Sequence, residues 1–264
     1  MSRTIAIYNF KGGVGKTTTT LNLALSWSRS FKVLVIDCDP QANLTFTLTD
    51  SLEHKSTLFT ILKDIIHNRQ VKIEPIQLSG YLHVIPGDYN MIELEKNSDL
   101  ITFGNSIFYK LLSQLKNDYD FILLDCPTHF GTVVKSSIAN VKSILIPAVA
   151  DTFSTMGFKK LLGYLSEIDR SGQLNIIGIF FNLFRNKTKH QRMIKEKSEE
   201  ELGRLILNQT IRQGIKVSEA NWNHRSLYSF DEDNPVAEDF LKLSEEILER
   251  LDSVSLEKVL KDTV

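Results

Sequence analysis

The feature that most constrains the fold is a glycine-rich loop at residues 11–18, KGGVGKTT, which lies between two regularly patterned segments. Before it, residues 4–10 form an apolar run that predicts a buried strand, and after it residues 17–29 have the period of a helix. Glycines let the main chain curl until several N–H groups point inward at the same oxygen atoms. The N-terminus of the following helix adds its positive end. A strand, loop and helix in this order predict a cradle for phosphate groups.

The side chains of this loop offer the groups that bind a triphosphate. Lys16 can reach the β- and γ-phosphates, Thr17 can place its hydroxyl on Mg²⁺, and Thr18 can support the α-phosphate side. Lys11 is not needed to curl the loop. Its ammonium could reach the phosphate of a second copy across a two-fold interface, as an arginine finger does, or it could be a solvated surface lysine. The predicted nucleotide-binding residues of the loop are Lys11, Gly12, Gly13, Val14, Gly15, Lys16, Thr17 and Thr18.

Apolar runs alternate with helical segments along the rest of the chain. Strands that are apolar on both faces, separated by helices, indicate a mostly parallel twisted sheet with helices on both faces, an α/β fold. No long linker interrupts the pattern, so we expect a single domain over residues 1–264. The further predicted strands are 32–37, 81–85, 120–125, 143–147 and 175–181, and the further predicted helices are 57–67 with Ser56 as N-cap, 107–115, 157–168 and 236–251.

Composition narrows the function classes. The 264 residues carry 32 acidic and 31 basic side chains, for a net charge of -1, which excludes a uniformly basic nucleic-acid binder. Cys38 and Cys126 cannot form a disulfide framework, and we expect both to be small packed residues in a reducing setting. No apolar run is long enough to predict a membrane-spanning helix. A cytoplasmic protein is therefore expected.

Three aspartates follow predicted strands, at the sheet edge where open α/β sheets bind ligands. Asp125 ends its strand and could hold Mg²⁺ through a water molecule. Asp39 lies two residues beyond the preceding strand end, Asp37, and could orient a water in line with the γ-phosphate. For Asp37 or Asp39 alone, a cap at the end of a strand explains the residue equally well.

Several motifs resemble those of one protein family. KGGVGKTT resembles the deviant Walker A motif of the ParA/MinD superfamily of ATPases. Residues 37–43, DCDPQAN, resemble its D-x-D-P-Q-x-N segment, and residues 119–127, YDFILLDCP, resemble its Walker B strand. Residues 217–220, VSEA, match a late family motif. The D-x-D-P-Q segment is typical of the ParA branch, which moves plasmids and chromosomal origins.

The resemblance implies a P-loop fold, ATP and Mg²⁺ as cofactors, and slow ATP hydrolysis stimulated by a partner. Asn182 ends the sixth strand near where relatives contact the base, and Asn221 replaces a proline that helps cover the adenine. The implied catalytic residues are Lys11, Lys16 and Asp39. The implied metal-binding residues are Thr17, Asp37 and Asp125, with Asp37 in a supporting place.

A basic stretch at residues 185–197 suggests where DNA could bind. Arg185, Lys189 and Arg192 fall at helical spacing on one face. A run of charge is usually a solvated face, but ParA relatives bind DNA without sequence preference through basic C-terminal residues, by phosphate neutralisation and counterion release. The candidate DNA-binding residues are Arg185, Lys187, Lys189, Arg192, Lys195, Arg212, Lys216 and Arg225.

The resemblance further implies a homodimer formed with ATP, a ParB-like centromere-binding partner and association with the nucleoid. No segment precedes the first strand that could hold a helix-turn-helix domain, so operator-specific repression is not expected. A MinD-like protein would bind membranes through a basic C-terminal helix. Residues 236–264 instead carry eight acidic and four basic side chains, so no membrane partner is expected. A regulatory protein that binds nucleotide with little turnover also stays open, because Thr128 and His129 depart from the family's second switch.

Overall fold

The structure, a computed structural model, describes residues 2–151, 154–169, 172–223, 227–231 and 233–251. The strands within these residues are β1 Arg3–Ile7, β2 Val33–Asp37, β3 Ile76–Gln77, β4 Leu82–Ile85, β5 Phe121–Asp125, β6 Ser143–Val149 and β7 Asn175–Asn182. The helices are α1 Lys16–Trp27, α2 Asn43–Thr49, α3 Leu58–Ile66, α4 Met91–Leu94, α5 Ser98–Leu115, α6 Thr132–Ile138, α7 Ser154–Ile168, α8 Lys189–Leu202, α9 Ile215–Trp222, α10 Leu227–Phe230 and α11 Pro235–Arg250, with a 3₁₀ turn Gly203–Leu205 after α8.

The strands form one sheet in the order β3-β4-β2-β5-β1-β6-β7. Neighbouring strands pair in parallel, except that the two-residue β3 pairs antiparallel with β4 at the edge. Strand β1 lies between β5 and β6, and β2 lies beyond β5. Ile7 and Asp37 are both in register with Asp125, so the loops that follow β1, β2 and β5 leave the sheet at one level.

Each face of the sheet is covered by its own apolar layer. Leu34 and Ile36 point into a cluster built with α3, α5, α6 and α7, whereas Val33 and Val35 point into one built with α1 and α11. This alternation follows from the period of two residues in a strand. The predicted α/β fold, with a mostly parallel sheet and helices on both faces, is confirmed.

Several helix boundaries differ from the sequence prediction, and two of them have a clear physical reason. The N-cap of α3 is Thr57 rather than Ser56: the Thr57 hydroxyl accepts from the Thr60 N–H, and the Thr60 hydroxyl accepts from the Thr57 N–H in return. Helix α5 begins at Ser98, well before the predicted start at residue 107, because Asn97 caps it. The polar residues of its first two turns hid its start in the sequence.

The described part of the C-terminal helix belongs to the core. Phe240, Leu243 and Ile247 of α11 are buried, and Ser244 accepts a hydrogen bond from the Trp27 indole of α1 at 3.2 Å. The remainder of the acidic C-terminal segment, residues 252–264, lies outside the described residues. None of the helices described is both long and apolar enough to cross a membrane.

Candidate active site

The glycine-rich loop takes a left-handed main-chain path at two positions. Gly13 has φ 72° and Gly15 has φ 90°, where side chains with a Cβ are strained. Gly15 is also the N-cap of α1, and it offers no side chain to cap the first N–H groups of the helix. No acidic residue lies in that first turn. The N-terminal end of α1 is therefore arranged to receive an external anion, as predicted for a phosphate loop.

Asn182, at the end of β7, lies directly against this loop. Its side-chain amide donates to the Val14 carbonyl at 2.9 Å, and its oxygen accepts from the Leu183 N–H at 2.8 Å. A Cβ at Gly15 would lie 2.1 Å from the same amide nitrogen. Asn182 is 4% exposed, so a buried side chain supports the loop through this hydrogen bond. The predicted contact of Asn182 with the base stays a prediction.

Lys16 is almost fully buried, at 8% exposure. Its ammonium donates to the Lys11 carbonyl at 3.3 Å and so crosses over its own loop. Burial lowers the pKa of Lys16, while the nearby Asp125 and Asp39 carboxylates and the Cys126 thiol oppose the shift. A phosphate bound in the loop would place a compensating negative charge beside this buried ammonium.

Lys11 lies at the outer end of the loop, and its ammonium forms an ion pair with Asp151, just after β6. The Lys11 N–H donates to the Asn9 side chain at 3.0 Å, and the Asn9 amide donates in turn to the Pro147 carbonyl at 2.8 Å. Sequence reasoning missed Asn9 and Asp151. A polar residue within the apolar run of residues 4–10 was the available signal for Asn9.

Asp125 has the properties of a carboxylate that supports a metal ion. It is 1% exposed, one oxygen accepts from the Thr20 hydroxyl at 3.2 Å, and the other has no hydrogen-bond partner among the described residues. Burial, and after it the charge of Asp37, raises its pKa well above the usual range, while the hydroxyls of Thr17 and Thr20 act in the opposite direction. A cation, or water bound to one, would satisfy the unpaired oxygen.

These oxygen ligands fit Mg²⁺, which prefers carboxylate and hydroxyl oxygens, water and phosphate. In the part of the chain that the structure describes, no group of three or more His, Cys, Asp or Glu side chains could hold a metal ion by itself. The protein would therefore supply Thr17 and Asp125 at the loop, and a bound nucleotide would supply phosphate oxygens.

Asp37 is completely buried and shapes the loop after β2. One of its oxygens accepts from the Thr45 N–H at 2.9 Å and the Thr45 hydroxyl at 2.7 Å, and the other accepts from the Asp39 N–H at 3.1 Å. The Thr45 hydroxyl itself accepts from the Gly87 N–H at 2.8 Å. Burial raises the pKa of Asp37 to about 6. Both oxygens already serve protein donors, so direct metal contact by Asp37 stays a prediction.

Asp39 lies on that loop and is partly exposed. One of its oxygens accepts from the Gln41 N–H at 2.9 Å, which forms a turn before α2. Its charge acts on the buried Lys16 ammonium, so the loop brings it to the phosphate side of the site. This position agrees with the predicted role of orienting a water molecule, which stays a prediction.

The two cysteines are buried beside the site aspartates. The Cys38 N–H donates to the Asp125 carbonyl at 2.9 Å, which continues the pairing of β2 with β5. The neighbouring Cys126 thiol and burial raise the pKa of Cys38 well above the usual range. A protonated buried thiol is a poor nucleophile. Both residues are packed at strand ends, as expected from the sequence.

The loop from β5 into α6, which the family resemblance assigns to the second switch, is held by a residue that the sequence did not suggest. The Glu95 carboxylate accepts from the Thr132 N–H at 2.5 Å and the Val133 N–H at 3.3 Å, and so caps α6. Any Cβ on Gly131 would overlap this carboxylate, at 2.2 Å. His129 is exposed on the same loop. The departure from the family pattern therefore lies on the surface, with an anchored helix behind it.

The structure separates the basic residues into two groups. Helix α8 begins at Lys189, so the predicted helix face that includes Arg185 is wrong. Arg185 precedes the helix, and its guanidinium donates to Gln213. The side chains of Arg185, Lys187, Lys189 and Arg192 are exposed. Lys195 pairs with Glu199, Lys216 pairs with Glu219, and Arg212 pairs with Asp239, whereas Arg225 lies outside the described residues.

Comparison with known proteins identifies the family. Residues 2–177 match a family model described as an AAA domain. A ParA family protein of Chlamydia trachomatis is 31% identical over 250 residues, which cover 93% of this chain and 97% of that protein. The chain belongs to the ParA family.

Other members and structures support the same assignment. The chromosome-partitioning ATPase Soj of Treponema pallidum is 30% identical to this ParA family chain over 263 residues, which cover 95% of this chain and 98% of Soj. A crystal structure of a plasmid partition protein of Borrelia burgdorferi, bound to AMPPNP, superposes with a TM-score of 0.80 at 22% identity, over 96% of this chain and 100% of that one. The likeness to that structure confirms the P-loop fold.

Proposed function

We propose that this ParA family chain is a Mg²⁺-dependent ATP hydrolase, built as a single P-loop domain, that drives plasmid or chromosome partition. The observation that carries the proposal is the meeting of three loops at one sheet edge. They bring Lys16, Asp39 and Asp125 together over an open helix N-terminus. The names of the relatives, a chromosome-partitioning ATPase and a plasmid partition protein, support the same function.

In the proposed reaction, the loop N–H groups and Lys16 bind the β- and γ-phosphates of ATP and neutralise their charge. Thr17 and Asp125 would hold Mg²⁺, which when bound would offset the negative charge that builds up on the phosphate oxygens. Asp39 orients a water molecule in line with the γ-phosphate. Asp37 keeps Asp39 in place through the hydrogen bond to its N–H. Phosphoryl transfer depends on positioning more than on a strong base, so His129 is not required as one.

Dimerisation with ATP would complete the site. Two subunits would close face to face, and the Lys11 ammonium of each would reach the γ-phosphate bound by the other. Turnover by the chain alone should be slow, because the catalytic groups are only loosely assembled before a partner stabilises them. A ParB-like centromere-binding protein is the partner that we propose for that step.

We propose that the closed dimer binds DNA without sequence preference. Exposed basic residues before and at the start of α8 support this assignment, since phosphate contacts need exposed cations: Arg185, Lys187, Lys189 and Arg192. Arg212 supports it less, because its guanidinium donates at 2.7 Å to both oxygens of Asp239. In a cell, such a dimer would be cytoplasmic and associated with the nucleoid.

A MinD-like membrane role receives less support from the structure. Such a role needs an apolar helix face available to lipid. In α11, the apolar residues Phe240, Leu243 and Ile247 are buried in the core. The described part of the C-terminal helix is therefore already used for folding.

Phosphate release tests the enzymatic proposal. The wild type should release phosphate from ATP slowly with Mg²⁺, Asp39→Ala should bind ATP without releasing phosphate, and Lys16→Ala should lose binding. Lys242→Ala is the matched control, because Lys242 is an exposed lysine on α11 that pairs with Glu238. No nucleotide-dependent release by the wild type would refute the ATPase and leave the regulatory alternative.

DNA retention tests the partition proposal. Binding should require ATP and should fall steeply with salt. Lys187→Ala and Lys189→Ala should each weaken binding to all sequences alike and reduce the salt slope by about one. Liposomes run beside DNA supply the control. Retention by liposomes alone would favour the MinD-like alternative.

A further inference from the structure

The ion pair between Lys11 and Asp151 lies within one chain, although Lys11 is the lysine proposed to act on the other subunit. Both side chains are partly exposed, at 44% for Lys11 and 36% for Asp151. The pair is therefore open to solvent and can exchange partners. Asp151 lies just after the end of β6, so the Lys11 ammonium is held by a carboxylate beside the sheet.

The main chain of Lys11 is fixed on both sides of its side chain. Its N–H is held by Asn9, which is itself anchored to Pro147 of β6, and its carbonyl accepts from Lys16. Only the side chain of Lys11 is left to change position. One ammonium then has two possible anions, the Asp151 carboxylate of its own chain and a phosphate bound by the partner, and it cannot contact both at full strength.

We propose that Asp151 is a positioning residue that holds Lys11 in the unassembled subunit and so opposes dimerisation until the partner carries ATP. This inference rests on the proposed function, because it needs the lysine to cross the interface. A γ-phosphate carries more negative charge than a carboxylate, so it can draw Lys11 away from Asp151. ADP ends at the β-phosphate and leaves no group at that place. Asp151 would therefore help the subunit to distinguish ATP from ADP when it dimerises.

The size of the effect follows from the exposure of the pair. Ion pairs between exposed side chains change an equilibrium by about twofold to fivefold. Each dimer breaks two such pairs, one in each subunit, so the dimerisation constant should change by about fourfold to 25-fold. Because exposed charges are screened, the effect should shrink at high salt.

The test compares three single variants with the wild type. Asp151→Asn removes the charge with little change in shape, and Asp151→Glu keeps a carboxylate. Glu238→Gln is the matched control, since it neutralises an exposed carboxylate that also pairs with a lysine, Lys242, far along the chain. Sedimentation measures dimerisation with ATP, with ADP and without nucleotide. Labelling by an amine-reactive reagent, followed by peptide mass spectrometry, measures how readily the Lys11 amine reacts when no nucleotide is present.

Asp151→Asn should dimerise about fourfold to 25-fold more strongly and should lose part of the preference for ATP over ADP. Its Lys11 should also react faster with the label. Asp151→Glu and Glu238→Gln should stay within twofold of the wild type in both measurements. In a Lys11→Ala background, Asp151→Asn should have no effect. A purely structural Asp151 would change neither the nucleotide preference nor Lys11 labelling.

The two measurements separate this inference from the proposed function. Unchanged labelling of Lys11 in Asp151→Asn would overturn the inference, whatever the dimerisation result. Faster labelling with dimerisation unchanged within twofold would also overturn it, because the pair would exist without controlling assembly. A wild type that stays monomeric with ATP would instead refute the proposed function, and the inference would fall with it.

Discussion

Gly15 and Gly13 together offer a sharp test of how the phosphate loop is held. Both have a positive φ, but a Cβ at Gly13 would meet no atom of the described residues within 4 Å, whereas a Cβ at Gly15 would lie 2.1 Å from the Asn182 amide nitrogen. Gly13→Ala should therefore lower the free energy of unfolding by about 1–2 kcal/mol, from backbone strain alone. Gly15→Ala adds overpacking and a broken buried hydrogen bond, for a total of about 3–6 kcal/mol.

Urea unfolding without nucleotide measures both changes, and ATP binding reports whether the loop keeps its shape. The clash makes a second prediction: Asn182→Ala should partly rescue Gly15→Ala, with a coupling of about 1–2 kcal/mol between the two substitutions. Gly13→Ala should show no such coupling to Asn182→Ala, which makes it the matched control. Equal destabilisation by the two glycine variants, or strict additivity of Gly15→Ala with Asn182→Ala, would refute the bracing role of Asn182.

Three further predictions follow from the contacts around the site. Glu95→Ala should lower the free energy of unfolding by about 0.5–2 kcal/mol and speed hydrogen exchange at the start of α6, because a cap is lost, whereas exposed Glu93→Ala should change neither. Burial raises the folded-state pKa of Asp37 from 3.8 to about 6, so the folded state holds a proton that the unfolded state has released. The contribution of Asp37 to the free energy of unfolding should therefore be greatest below pH 4 and be lost as the pH rises to about 6. Urea unfolding at several pH values should show a weaker dependence of stability on pH in Asp37→Asn. Arg212→Ala should destabilise the protein by about 1–3 kcal/mol, because it leaves the buried Asp239 carboxylate without its guanidinium; a neutral result in thermal unfolding would return Arg212 to the DNA-binding candidates.

The sequence was most informative where the signal is local. The run of glycines and lysines at residues 11–18 predicted the phosphate loop, and apolar runs on both faces predicted the parallel sheet. Boundaries were less predictable. The start of α5 lies in a polar stretch whose helical state is decided by the Asn97 cap and by burial of Leu100. The two-residue β3 is too short to have a pattern of its own.

Contacts between distant segments could not be predicted from the sequence. Asn182 supports Val14 across 168 residues, and Glu95 caps a helix that begins 37 residues later. The pairing of Arg212 with Asp239, and of Lys11 with Asp151, likewise depends on where separate elements meet. A list of basic residues could not show which of them already have a carboxylate partner.

By itself, the sequence determined the fold class, the phosphate loop and the family, because periodicity, glycine conformation and motif spacing are properties of neighbouring residues. Only the tertiary structure decided which polar groups serve the site and which hold it in shape. Strand order brings the ends of β1, β2 and β5 to one edge. Within the described part of the chain, burial there leaves one oxygen of Asp125 without a hydrogen-bond partner, while both oxygens of Asp37 have protein donors. The same residue type at the end of two neighbouring strands thus acquires two different environments.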